Sequence, residues 1–155
     1  MDLAYTNRGI TLADIGRTDE AIRDFSEAIK INPRYTEAYN DRGLLKQKLN
    51  DLTGSIEDFN LAIKNDSLYI EAYSNRAISF LSMKKYTEAI ADLSKAIELK
   101  PDYANVYSNR GNAFIETGEM KKGLDDLLKA KELYLRQGDK AGFDRVDTRI
   151  KKFQS

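Results

Sequence analysis

Tyr5, Tyr39, Tyr73 and Tyr107 stand 34 residues apart, and that interval constrains everything else about the chain. Arg8, Arg42, Arg76 and Arg110 keep the same spacing, each followed by a small residue: Gly9, Gly43, Ala77 or Gly111. Later in each block come Ile22, Ile56, Ile90 and Leu124, then Asp24, Asp58, Asp92 and Asp126. Phe25, Phe59, Leu93 and Leu127 follow, and then Ala28, Ala62, Ala96 and Ala130. These columns run through four copies without an insertion or deletion. A period of this length marks a repeat architecture, in which one supersecondary unit buries its apolar face only by stacking on its neighbours.

Each block reads as two helices. In the third, Tyr73, Ala77 and Phe80 form an amphipathic stripe from Ile70 to about Met83. Lys84 and Lys85 interrupt it, and a second stripe follows with Ala89, Ile90, Leu93, Ala96 and Ile97. Gly16, Asn50 and Gly118 occupy the same break elsewhere, residue types that tolerate the left-handed conformation at a helix C-terminus. The two prolines, Pro33 and Pro101, fall where the second helix must stop. Ser67 and Leu135 take that place in the second and fourth copies, so those junctions are less sharply encoded. The Gly and Ala columns let paired helices approach, and the large columns fill the space between pairs. Ser55 and Gly123 depart from the column otherwise held by Ala21 and Ala89, and the fourth copy, with Gly123, is expected to be the loosest.

Composition excludes several kinds of chemistry. There is no Cys and no His, hence no disulfide framework, no thiolate nucleophile, no imidazole base and no Cys- or His-based metal site. The 25 basic and 25 acidic residues balance, without the cationic excess of a protein that grips phosphates, so no nucleic-acid partner is expected. No stretch approaches the roughly 20 apolar residues that span a bilayer. The N-terminus lacks the zones of a signal peptide, so the expected location is cytoplasmic, with an upstream segment left open because Met1 falls almost on the first helix. No cofactor and no catalytic constellation is predicted: adjacent carboxylates such as Glu57 and Asp58 diverge on a helix, and the tyrosines recur with the repeat as packing residues do.

The order Tyr, Gly or Ala, Ala, Phe, Ala, Pro within this period resembles the tetratricopeptide repeat, over residues 2–137. The phrasing Tyr-x-Asn-Arg-Gly, then Ala-Ile-x-Asp-Phe, is similar to bacterial members of that family. The resemblance implies an all-α fold, a right-handed superhelical α-solenoid of antiparallel helix pairs in one domain over 1–155. Its repeats would occupy about 2–35, 36–69, 70–103 and 104–137. Phe143, Val146, Ile150 and Phe153 then form one apolar stripe opposed by Arg145, Lys151 and Lys152, as a capping helix over about 140–153 requires. A membrane-surface helix is the rival reading of that tail.

The resemblance also implies a function, that of a scaffold binding a peptide segment of a partner protein. In the family, the first helix of each pair lines a concave groove. The positions not used for packing are Asn7, Asp41, Asn75 and Asn109, then Ile10, Leu44, Ile78 and Asn112, then Asp14, Lys48, Ser82 and Glu116. Asn is a mediocre helix former, and its amide both donates and accepts, so a row of amides suits the backbone of an extended peptide. This row is similar to the asparagine ladder of glycosyltransferase-associated members; pairing between neighbouring repeats is the alternative role. The candidate groove therefore comprises Asn7, Ile10, Asn40, Asp41, Leu44, Lys48, Glu71, Asn75, Ile78, Asn109 and Asn112. Some members clamp the carboxylate of chaperone tails with groove cations. The matching positions here read Thr6, Ile10 and Asp41, or Asn40, Leu44 and Asn75, with Glu71, Asn105 or Asn109 beyond them. None of these is a cation. Asp41 and Glu71 make the middle of the groove acidic and favour a ligand with Lys or Arg near its centre. The Arg column, by contrast, has an Asp sixteen residues on in every copy and is expected to form structural ion pairs. Two other functions stay open: a structural unit self-associating end to end through the first helix, at Ala4 and Thr11, or a regulatory segment of a larger enzyme.

Overall fold

The computed structural model describes residues 1–154, and among them nine helices and no strand. They are α1 (Asp2–Asp14), α2 (Thr18–Ile31), α3 (Thr36–Lys48), α4 (Leu52–Asn65), α5 (Ile70–Ser82), α6 (Tyr86–Leu99), α7 (Ala104–Glu116), α8 (Met120–Gln137) and α9 (Lys140–Gln154). This is the all-α, helix-pair architecture that the period requires. The helices group into two compact units, Met1–Met83 and Lys84–Ser155.

Within the first unit, α1 packs on α2, α2 on α3, α3 on α4 and α4 on α5. Ala21, Phe25, Ala28, Ala38 and Leu45 form one buried cluster, and Tyr39, Ala62 and Ala72 another. Gly43 lies under Phe59, where an added Cβ would come within 2.7 Å of the ring. In the second unit α6 packs on α7, α7 on α8 and α8 on α9. Its core joins Ala104, Leu127, Ala130, Leu133 and Tyr134 to Val146 and Ile150 of α9. The apolar stripe of α9 is thus spent on covering α8, with Arg145, Lys151 and Lys152 exposed on its other side. A membrane-surface role for this helix is overturned, because the face it needs is buried.

The breaks between paired helices adopt the left-handed turn at Gly16, Asn50 and Gly118, with φ of 79°, 63° and 86°. Lys84 adopts it as well, at φ 58°, although lysine carries no local signal for that conformation. The prolines follow the ends of α2 and α6, which are 14 residues each. In the fourth copy, with Leu135 in place of Pro, the second helix runs on to Gln137 and reaches 18 residues. It stops only where Gly138 takes φ 73°, letting Asp139 N–H donate to the Tyr134 carbonyl at 2.9 Å.

The expectation of a loose fourth copy fails. A Cβ on Gly111 would lie 2.8 Å from the Gly123 carbonyl oxygen, and one on Gly123 would lie 2.7 Å from that of Gly111. Two facing glycines bring the backbones of α7 and α8 closer than any side chain would permit, so Gly123 tightens this pair. Ser55, the other departure, is fully buried and polar. Its hydroxyl meets the Leu52 carbonyl at 2.8 Å and the Ser79 hydroxyl at 2.7 Å, and Gln47 Nε2 donates to Ser79 Oγ at 2.7 Å.

Candidate functional site

Three arginines of the repeated column form two-pronged bridges to the aspartate sixteen residues on. Arg8 donates to Asp24 at 2.6 and 2.7 Å, Arg42 to Asp58 at 2.9 and 2.6 Å, and Arg110 to Asp126 at 2.7 and 2.9 Å. Each of these guanidinium groups also lies over the tyrosine three residues before it, at 5.5 Å for Arg8 and 5.8 Å for Arg42 and Arg110. Nitrogens of the column also reach backward to the preceding pair: Arg42 to Ser26 Oγ at 3.0 Å, Arg76 to Asn60 Oδ1 at 2.6 Å, and Arg110 to Ser94 Oγ at 3.0 Å. Ser26, Asn60 and Ser94 are themselves one column of the repeat, overlooked in the sequence because its side chains vary. Arg8 has no preceding pair, and its side chain is 64% exposed against 17% for Arg42 and 19% for Arg110. The bridge holds the Asp24 carboxyl below the usual carboxylate range, chiefly through the Arg8 hydrogen bonds. The cationic column is therefore structural, not a phosphate stripe.

With the arginines assigned to packing, the first helices of the first unit offer a mixed surface. Ile10, Leu44 and Ile78, one per copy, are 44%, 37% and 38% exposed. Ile10, Asp41 and Leu44 line a shallow depression of about 310 Å³ with Phe25 at its floor. Asn7, Lys48 and Glu71 are exposed. The amides behave differently: Asn75 Nδ2 donates to Oδ1 of the buried Asn40 at 2.9 Å, and Asn40 Nδ2 donates to Asp41 Oδ1 at 3.3 Å. Asn75 and Asn40 thus tie α5 to α3, the role of pairing between repeats. Asn40, four residues ahead of Leu44, sits behind the surface rather than on it.

Acidic groups gather beside this row. Burial pushes the Asp41 carboxyl up, offset by the Asn40 hydrogen bond and reinforced by Glu37. Burial, with Glu71, Asp41, Glu37 and Asp66 nearby, pushes the Tyr69 hydroxyl up to about 12. Asp41, Glu71 and Glu37 thus lie close enough together to act on one hydroxyl.

In the second unit, Asn109 and Asn112 of α7 line a pocket of about 560 Å³ whose other wall is α9. That wall contributes Arg145 and Arg149, two residues the period does not reveal because α9 stands outside the repeat. Arg149 Nε donates to Asn112 Oδ1 at 3.2 Å, its Nη2 lies 3.5 Å from Glu116, and its guanidinium covers the Phe153 ring at 5.0 Å. Tyr134, buried at the base, donates its hydroxyl to Asn105 Oδ1. Burial pushes the Tyr134 pKa up, and the adjacent Arg145 guanidinium draws it partly back. Among the described residues no acidic, His or Cys cluster could hold a metal, and no helix is long and apolar enough to cross a membrane.

Models described as tetratricopeptide repeat match residues 3–35 and 36–67, and one described as TPR repeat matches 79–118, together well over half of the chain. No curated protein sequence matches significantly. Among solved structures, the crystal structure of MamA is 23% identical, with a TM-score of 0.85 over 88% of this chain and 80% of that one. TTC0263, a thermophilic TPR protein of Thermus thermophilus, is 21% identical, with a TM-score of 0.71 over 97% and 90%. The first TPR of Spaghetti (RPAP3), solved with the HSP90 peptide SRMEEVD, is 24% identical, with a TM-score of 0.67 over 82% and 93%. At these identities the likeness is one of fold, and it agrees with the repeat matches and with the helix pairs seen here. The chain belongs to the tetratricopeptide repeat family.

Proposed function

We propose that this chain is a protein-interaction module that binds an extended segment of a partner along the first helices of its repeats. The observation that carries this reading is the row Ile10, Leu44 and Ile78. Large aliphatic residues stand exposed at one position within the first helices of three successive copies, and Ile15, Leu49 and Met83 stand exposed at the ends of the same helices. An apolar row with polar groups at its edge suits a peptide whose alternate side chains point toward it. The acidic flank of Glu37, Asp41 and Glu71 favours a ligand carrying Lys or Arg. Asn75 and Asn40 serve this surface by fixing α3 against α5. Asn7 remains the exposed amide of this row in the first unit, and Asn109 and Asn112 belong to the pocket of the second. The likeness to a repeat domain solved with a bound peptide is consistent with this reading.

The test is affinity capture with the wild-type chain and a Leu44→Ser/Ile78→Ser variant, followed by identification of the co-purifying proteins. Both positions are partly exposed, so circular dichroism should be unchanged and the variant should stay folded at the temperature of capture, with melting lowered only by the lost partial burial. Loss of the same partners from the variant supports the proposal; undiminished capture sinks it. A second reading has one observation in its favour. Leu3, Ala4, Arg8 and Thr11 expose the outer side of α1, as an end-to-end contact with another copy needs. Light scattering that shows a monomer at every concentration removes it.

A further inference from the structure

The pocket between α7 and α9 differs in chemistry from the apolar row. Arg149 has only donors, so its partner at 3.2 Å must be the Asn112 oxygen, which leaves the Asn112 N–H2 group as the free end of that amide. Tyr134 occupies the Asn105 oxygen in the same way and leaves the Asn105 N–H2 group. Arg145 adds a guanidinium that is exposed at the pocket wall; it donates to the Tyr134 hydroxyl oxygen and keeps its remaining N–H groups for a ligand. Glu116, the one carboxylate of the lining, is turned toward Arg149. Ser108 and Asn109 add groups that both donate and accept, so donors outnumber acceptors among the polar groups of the lining, with an excess of one positive charge, on a floor made apolar by Leu127 and Val146. Such a set fits an anion with two acceptor oxygens in a plane.

We propose that this pocket binds the side-chain carboxylate of a Glu or Asp in the partner segment, received by Arg145 and by the Asn105 and Asn112 amides. The inference deepens the peptide-binding reading and rests on it for the source of the carboxylate. The amide donors come from α7. The cation comes from the helix that covers the last repeat, and not from any first-helix position. The second unit thereby selects an acidic residue, where the first unit favours a basic one.

The probes are acetylated, amidated peptides of about eight residues in which Glu alternates with Ala, and the same peptides with Gln for Glu. They are titrated into the full 15N-labelled chain and followed by NMR. The Glu peptide should shift the side-chain signals of Arg145, Asn105 and Asn112 saturably. An Arg145→Gln variant should weaken its affinity about tenfold or more, the ordinary value of a charged hydrogen-bonded contact. Arg145 is exposed, so this variant should melt as wild type does. Equal shifts from Glu and Gln peptides, or unchanged affinity in Arg145→Gln, overturn the proposal. So does the absence of any shift, or a response to inorganic phosphate without one to the Glu peptide. The two readings fail separately. Partner capture lost in Leu44→Ser/Ile78→Ser but untouched in Arg145→Gln overturns the carboxylate pocket and leaves the binding module standing. Glu-peptide binding with capture unaffected by Leu44→Ser/Ile78→Ser does the reverse.

Discussion

The two units are made from one repeat and hold it together with one device, yet they expose opposite chemistry. The first presents aliphatic side chains flanked by Glu37, Asp41 and Glu71; the second presents amides and arginines. Their packing diverges too. The first accommodates Ser55 by building a buried polar network with Ser79 and Gln47, whereas the second accommodates Gly123 by drawing two backbones together. Substitution at one small-residue column therefore has two outcomes, decided by what the facing helix offers. The repeat dictates where helices lie, and the positions it leaves unconstrained set what each unit exposes.

The strongest way to test the shared device is Asp58→Ala. Asp58 is 2% exposed and neutralises both Arg42 and Lys46, so its loss strands two half-buried cations and should cost about 3–5 kcal/mol in urea unfolding. Asp24→Ala should cost much less, since Arg8 is free to turn to water; equal costs would show that the first copy is not distinctive. Gly123→Ala comes next, at about 1–3 kcal/mol, because the new methyl meets the backbone of α7. Ser55→Ala restores the residue usual in its column and should cost about 1 kcal/mol, the worth of its hydrogen bond. A larger penalty for Ser55 than for Gly123 would reverse the contrast between units.

Acid should weaken both units through the same kind of group. Asp24 in the first and Asp147 in the second have pKa values lowered by their partners, Arg8 for one and Lys131 with Lys151 for the other. A carboxyl with a depressed folded pKa binds more protons when unfolded, so its contribution is complete above its unfolded value of about 4 and fades as pH falls through the folded one. Melting of Asp24→Asn and Asp147→Asn should therefore differ from wild type most near neutrality and approach it as the pH falls from about 4 through the lowered folded pKa. Leu44→Ser gives up the partial burial of one side chain and should cost about 1 kcal/mol in urea unfolding, with the fold retained.

Much of the fold was legible because packing repeats. Helix pairs, breaks and Arg–Asp bridges recur at a fixed interval, so four weak signals reinforce one another. Features present once were harder to see. Lys84 has no glycine-like signature; its left-handed turn follows from the helices on either side. Gly123 reads as a loss of contact until Gly111 is known to face it. The groove was partly legible: Ile10, Leu44 and Ile78 are exposed where spacing placed them, but hydrogen-bond partners in three dimensions decide whether an asparagine faces a ligand or a neighbour. Arg145 and Arg149 belong to a helix outside the period, and only folding brings them beside Asn109 and Asn112.

The backward reach of the arginine column bears on how such a chain can grow. Arg42 and Arg110 each grip the aspartate of their own pair and a small polar side chain of the pair before it. A duplicate of any of the first three blocks therefore carries both halves of the joint, the arginine that fastens it upstream and the Ser or Asn that receives the block downstream; the fourth has Leu128 at the receiving position. Insertion or deletion of such a copy preserves this joint, whereas the bonds of Ser55 and Gln47 to Ser79, and of Asn75 to Asn40, are particular to the second and third copies. Lengthening by whole blocks then adds a joint of the same kind each time, and the exposed residues outside it are free to diversify copy by copy. A frame shift within a block is not neutral, since it separates the arginine from both of its partners at once.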